Sequence, residues 1–167
     1  MHRRGVSVLT RSLAVLDIDG VVADVRHRLV HLESRPKDWR AFFAGAAADP
    51  PLLEGLELAR ELSAEHDIVW LTGRPERLRR LTATWLCSHD LPATEIHMRR
   101  GGDYRPARQT KLAVLRQLAA TRTIAVVVDD DPAVVAALEA EGLPVRLADW
   151  VPYAESLRQG QEGDGHT

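Results

Sequence analysis

The side chains in this sequence best suited to chemistry stand where apolar runs end in polar residues. Asp17 and Asp19 close the first such run, Leu13-Ala14-Val15-Leu16, in the stretch Asp17-Ile18-Asp19-Gly20. Thr72 follows a second run, Asp67-Ile68-Val69-Trp70-Leu71, and Asp129 and Asp130 follow a third over residues 123–128. Carboxylates at the end of a buried strand are expensive unless a cation sits among them. Carboxylate and carbonyl oxygens suit a hard ion, with Mg²⁺ the best fit. No Cys/His cluster offers a zinc site; His27 and His31 have i, i+4 spacing but no third ligand, and are expected to face solvent. Lys111 and Thr72 add an ammonium and a hydroxyl. Together with the ion they would surround the non-bridging oxygens of a phosphoryl group, where catalysis is mostly positioning and charge neutralisation. One carboxylate of such a pair can attack phosphorus, and another can protonate the leaving oxygen and later take a proton from water.

These residues must be gathered by the elements that carry them. Residues 13–16, 67–71, 94–98, 123–128 and 144–148 read as strands, with helices between them. Trp39, Phe42 and Phe43 share one helical face, and a second helix over 52–64 turns Leu56, Ala59 and Leu62 inward. The helix opened by Pro75 carries Leu78, Leu81, Trp85 and Leu86, and one from about Arg108 carries Leu112, Leu115 and Leu118. A last helix over 133–141 stops at Gly142. The alternation predicts an α/β fold, a Rossmann-like three-layer sandwich with a parallel five-stranded sheet covered by helices on both faces. Ligand sites in such sheets lie beyond the carboxyl ends of the strands. That rule brings Asp17 and Asp19, Thr72 and Arg74, the 99–105 loop, and Asp129 and Asp130 to one edge.

Composition narrows the class. The 167 residues, 45% hydrophobic and 28% charged, are enough for one domain with a sizeable core. We expect a flexible lead over 1–11, a single domain over 12–158 and a disordered polar tail over 159–167. A net charge of -2 argues against a general polyanion binder. The single Cys87, read as an apolar filler late in a helix, cannot form an internal disulfide, which fits a cytoplasmic protein. No apolar run is long enough to cross a membrane.

The motifs resemble the haloacid dehalogenase superfamily of phosphotransferases. Asp17-Ile18-Asp19-Gly20, Thr72 after an apolar strand, Lys111, and Asp129-Asp130 after another strand occur in the family's order. The resemblance implies Asp17 as nucleophile, Asp19 as acid/base, and Thr72 and Lys111 as phosphoryl clamps. It makes Asp17, Asp19 through its backbone carbonyl, and Asp129 the Mg²⁺ ligands, with Asp130 helping directly or through water. Asp131 is left to cap the helix that starts at Pro132. The segments after the first motif and between Pro75 and Lys111 are too short for a large cap domain, so an open site is expected.

Around that site lie Arg74, Arg77, Arg99, Arg100, Arg105 and Arg108. Arginine has the best-shaped side chain for phosphate oxygens. Gly73, Arg74, Arg99 and Arg105 are therefore candidate substrate contacts, whereas Arg79 and Arg80 read as a solvated helix face. Within the superfamily the chain is most similar to the 3′-phosphatase domain of phage-type polynucleotide kinase-phosphatases. The likeness rests on Arg35-Pro36-Lys37-Asp38-Trp39, Leu71-Thr72-Gly73-Arg74-Pro75, Thr82-Ala83-Thr84-Trp85-Leu86 and the stretch from Met98 through Pro106 to Lys111. Ala107 departs from it, standing where an acidic anchor for a neighbouring arginine is expected. No G-x-x-x-x-G-K-[ST] phosphate loop occurs, so a kinase half is absent and a separate kinase or ligase is the expected functional partner. Three readings follow: a phosphatase of DNA or RNA 3′ ends, a phosphatase of small nucleotides or metabolites, and a non-catalytic phosphate- or nucleic-acid-binding module.

Overall fold

The computed structural model describes residues 10–164. β1 (Leu13–Leu16) is fully buried and lies at the centre of the sheet, as a short run of apolar residues without alternation should. β2 (Asp67–Pro75) and β4 (Ile124–Asp129) flank it, and β3 (Ile96–Arg99) and β5 (Val145–Leu147) form the edges. All pairings are parallel, in the order β3-β2-β1-β4-β5. The expected strands are all present. β2 runs further than expected, through Thr72, Gly73 and Arg74 to Pro75, with its register to β3 shifting between Leu71 and Pro75.

Alternate residues of β1 divide the core. Ala14 and Leu16 face α3 (Leu53–Glu65) and α4 (Arg79–Ser88), packing with Leu56, Ala59, Trp85 and Leu86. Leu13 and Val15 face α5 (Ala107–Ala119) and α6 (Pro132–Ala140), packing with Leu115, Leu118, Val134 and Leu138. The segment after β1 holds only α1 (Val30–Glu33), α2 (Trp39–Ala44) and single 3₁₀ turns, so no large cap domain sits there. A third cluster joins Phe42 and Phe43 of α2 to Leu78 and to Leu157 of α7 (Glu155–Gln159). Asp131 caps α6, accepting from the Ala133 N–H at 2.8 Å, with Pro132 in the first turn. No helix among the described residues is long and apolar enough to cross a membrane.

Two expectations need correction. The C-terminal stretch is helical rather than disordered: α7 continues into a π-helical turn over Gly160–Asp164, and Gln161 is buried. Leu157 anchors it in the third cluster, a hydrophobic contact that a polar composition concealed. The expected lead lies almost wholly outside the described residues, as do residues 165–167. Cys87 is exposed on α4 rather than filling the core.

The turn after β1 is held by its own backbone. The Ile18 carbonyl accepts N–H bonds from Val21, Val22 and Ala23 at 2.9–3.2 Å, and Leu52 N–H donates to the Val22 carbonyl at 2.8 Å. Gly55 lets α3 press onto this turn, since a Cβ there would lie 1.7 Å from the Val21 carbonyl oxygen. Gly55→Ala is therefore expected to lower stability by about 1–3 kcal/mol, read as a lower urea midpoint. An unchanged midpoint would mean that this close approach does not constrain the turn.

Candidate active site

Asp17 leaves β1 at the carboxyl end of the sheet, its backbone N–H donating to the Val128 carbonyl at 2.9 Å. Its side chain is buried; Oδ1 accepts from the Ile18 N–H at 2.7 Å and Oδ2 from Lys111 Nζ at 2.7 Å. Lys111, in the second turn of α5, also donates to Asp129 Oδ2 at 2.6 Å. Thr72 is buried beside them, and its hydroxyl accepts the Arg74 N–H at 3.2 Å. Asp130 completes the cluster above Gly20. Gly20 has φ +77°, and a Cβ on it would fall 1.9 Å from Asp130 Oδ2, so glycine is required there both for conformation and for space. The structure thus brings Asp17, Asp19, Thr72, Gly73, Lys111, Asp129 and Asp130 to one strand-end site.

Burial dominates the acid–base character of this group. It pushes the Asp17 carboxyl from its ordinary 3.8 up to about 7 despite the neighbouring Lys111 ammonium. It raises Asp129 as well, and Asp130 well above the ordinary carboxylate range, the latter reinforced by the charges of Asp17 and Asp129. Lys111 is held protonated: burial works against its charge, but Asp129 and Asp17 outweigh that. Oxygens of Asp17, Asp129 and Asp130 lie within 4.8 Å of one another, with Lys111 the cation that bridges Asp17 and Asp129. Buried carboxylates in such excess fit a hard divalent cation, which these three residues would hold.

Asp19 occupies a different environment. Burial would raise its pKa, but Arg74 and then Arg28 hold it down at about 2. Arg74 is fully buried; its Nε donates to Asp19 Oδ1 at 2.9 Å and its Nη2 to Asp49 Oδ2 at 2.8 Å. Arg28 makes a two-pronged contact with Asp49, Nε to Oδ1 and Nη2 to Oδ2, both at 2.8 Å, and reaches Asp19 Oδ1 at 3.1 Å. Arg74 was expected to touch substrate, yet its guanidinium is spent on Asp19, Asp49 and Thr82.

Arg28 and Asp49 carry no site signal in the sequence. Arg28 lies in a segment without strand periodicity, and Asp49 in Asp49-Pro50-Pro51 carried only a helix-stop signal; the tertiary approach that pairs them leaves no local mark. His27 is exposed, as expected, while its Nε2 also lies 2.8 Å from Asp49 Oδ1.

The arginine loop is organised around Asp103. Arg105 is exposed, its Nε and Nη2 donating to the Asp103 carboxylate at 2.9 and 2.7 Å. Arg99 is buried, and its Nη1 donates to the carbonyls of Asp103 and Arg105 at 3.1 and 2.9 Å. Ala107 has no exposed surface and belongs to the α5–α6 core cluster, so the acid that anchors Arg105 comes from Asp103 instead. The expected open site is also corrected. Leu157 and Gln161 from the C-terminal segment lie against Asp17, Asp19, Thr72, Gly73 and Asp130, leaving a cavity of about 10 Å³. On the Thr72 and Lys111 side lies a larger cavity of about 160 Å³, lined also by Arg99, Arg100 and Arg105.

Two outcomes test this electrostatic arrangement. Asp49→Asn removes the carboxylate between two buried guanidiniums and is expected to cost about 3–5 kcal/mol of stability in urea unfolding; an unchanged midpoint would contradict the pairing. Asp17 and Asp129 titrate higher in the folded chain than in the unfolded one, so the folded state binds more protons between about pH 4 and about pH 7. The stabilisation is full below that window and is lost as pH rises through it. Thermal unfolding of the metal-free protein is therefore expected to fall in temperature across the window, and an added divalent cation should restore most at its alkaline end. A rise in unfolding temperature across it would oppose this assignment.

Solved structures similar to the chain share this architecture. A chain of the Pnkp1/Rnl/Hen1 RNA repair complex superposes with a TM-score of 0.70 at 19% identity, over 87% of this chain. This chain spans 44% of that one, less than half of its length. The class C acid phosphatase from Bacillus anthracis, with tungstate bound, gives 0.55 at 19% identity over 72% of this chain and 52% of its own. A haloacid dehalogenase-like hydrolase from Burkholderia xenovorans LB400 gives 0.57 at 15% identity, covering 83% and 81% of the two chains. No curated protein matches the sequence. The polynucleotide kinase PNKP phosphatase domain matches residues 11–148. The chain therefore belongs to the PNKP phosphatase-domain family and is a hydrolase of the haloacid dehalogenase phosphatase type.

Proposed function

We propose that this chain is a Mg²⁺-dependent phosphomonoesterase that removes a terminal 3′-phosphate from a polynucleotide through an aspartyl-phosphate on Asp17. The observation that carries the reading is the pairing of Asp17 Oδ2 with Lys111 Nζ at 2.7 Å, beside Thr72 and the arginine-lined cavity. An ammonium and a hydroxyl there suit the non-bridging oxygens of a phosphoryl group, and three guanidiniums suit the further phosphates of a strand.

In the reaction proposed, an Asp17 carboxylate oxygen attacks phosphorus and the bond to the sugar oxygen breaks. The leaving oxygen takes a proton from Asp19, whose pKa is raised by the approaching phosphate charge. Asp19, again a carboxylate, then takes a proton from a water that attacks the same phosphorus. Inorganic phosphate departs and Asp17 is regenerated. Arg28 and Arg74 hold Asp19 in place through both steps. Mg²⁺, held by Asp17, Asp129, Asp130 and the Asp19 backbone carbonyl, would supply charge neutralisation at the phosphoryl oxygens.

The family supports the polynucleotide substrate, and the fold shared with a chain of an RNA repair complex supports a functional link to a separate kinase or ligase. A single exposed cysteine and the absence of a membrane-length apolar helix among the described residues support a cytoplasmic setting.

The test is phosphate release from a 3′-phosphorylated oligonucleotide, its 5′-phosphorylated twin and a free mononucleotide, each with and without Mg²⁺. Mg²⁺-dependent release mainly from the 3′-phosphorylated strand is expected, and Asp17→Asn should abolish it while the protein stays folded. Preference for the mononucleotide would move the substrate to small molecules. Substantial turnover by Asp17→Asn would sink the mechanism.

A further inference from the structure

On the other side of the arginine loop from the phosphoryl site lies a cavity of about 260 Å³ that the proposed chemistry does not use. One wall is aromatic. Trp39 stacks on Phe43 with ring centroids 5.8 Å apart and meets Phe42 edge-on at 5.6 Å, so its ring is fixed by packing on both neighbours. The Arg77 guanidinium lies 5.5 Å over the Phe43 ring. Tyr104 lines it too, at 66% one of the few large apolar residues exposed among those described. Gly101 and Gly102 between them leave open space, with nothing within 4 Å of where a Cβ would be. Arg99, Arg100 and Asp103 line this cavity and also the one that reaches Thr72 and Lys111, so the two lie back to back across the loop.

We propose that this cavity is a nucleobase subsite, taking an unpaired base near the phosphorylated end of a single strand by stacking on Trp39 and Tyr104. The inference rests on the polynucleotide reading and deepens it, since it names single-stranded rather than paired ends as the form bound. Flat aromatic rings beside guanidiniums are the surface on which single-stranded nucleic acids bind: bases stack, and arginines take the phosphodiester oxygens. A small phosphorylated metabolite reaching Asp17 from the 160 Å³ cavity would have no use for such a wall. Arg99 adds an independent sign. It is 92% buried at the partition between the two cavities, yet its Nε and Nη2 have no hydrogen-bond partner in the protein. Unmet guanidinium donors at that depth are costly, and phosphodiester oxygens crossing the loop would meet them.

The experiment compares KM for a 3′-phosphorylated single strand with that for the same strand made abasic at its last two positions, and with glycerol phosphate as a base-free control. Base removal is expected to raise KM about tenfold or more. Tyr104→Ala and Trp39→Leu should raise KM for the intact strand by a similar factor, erase its advantage over the abasic one, and leave glycerol phosphate unchanged. Tyr104 is exposed, so its variant keeps the test decisive should the Trp39 variant not fold. Equal KM for intact and abasic strands, or a Tyr104→Ala enzyme that keeps the full preference, would overturn the base subsite while leaving the phosphatase reading in place. Release from glycerol phosphate but from neither oligonucleotide would overturn the polynucleotide reading and the subsite with it.

Discussion

Negative charge gathered at the carboxyl ends of parallel strands is the constraint on which this structure depends. Asp17, Asp19, Asp49, Asp129 and Asp130 converge there, and the chain divides the buried cations between two groups. Lys111 serves Asp17 and Asp129; Arg28 and Arg74 serve Asp19 and Asp49. The division gives two carboxylates only two residues apart opposite characters, Asp17 pushed up to about 7 by burial and Asp19 held at about 2 by its guanidiniums. The proposed roles call for the reverse order, an ionised Asp17 and a protonated Asp19, so they rest on a cation that would lower Asp17 and on substrate phosphate charge that would raise Asp19. Here the residue whose charge is left under-compensated is the one that faces the candidate cation cluster.

The sheet makes this possible because parallel strands all present their carboxyl ends on one edge. β1 delivers Asp17, β2 delivers Thr72 and Arg74, and β4 delivers Asp129. What the sheet cannot supply comes from the segment after β1, which brings Arg28 and Asp49 back against Asp19. The same segment provides the aromatic wall on the far side of the arginine loop. The segment after β1 thus shapes both the surroundings of Asp19 and the far side of the arginine loop.

The strands and the residues at their ends were legible because both signals are local: apolar runs with period-free burial, and polar residues at their termini. Asp131 as a cap was equally legible, since capping depends on residues two apart. Arg28 and Asp49 were not, because their meaning lies in a pairing across 21 positions that no periodicity records. The direction of Arg74 is equally illegible, for a related reason. An arginine at a strand exit can turn to solvent or inward, and only the presence of Asp19 and Asp49 beneath it decides. The C-terminal segment reads as disordered from its polar composition, whereas a buried Leu157 and the ion pair of Glu162 with Arg108 tie it to the domain.

In the proposed mechanism Asp17, and no other carboxylate of the cluster, becomes covalently phosphorylated. Acid quenching during turnover of a 3′-phosphorylated oligonucleotide, followed by peptide mass analysis, tests it most directly. A phosphoryl group on Asp17 is expected, with none on any peptide of the Asp17→Asn protein. A phosphoryl group on Asp19, Asp129 or Asp130, or none on any peptide of an actively turning-over enzyme, would contradict it.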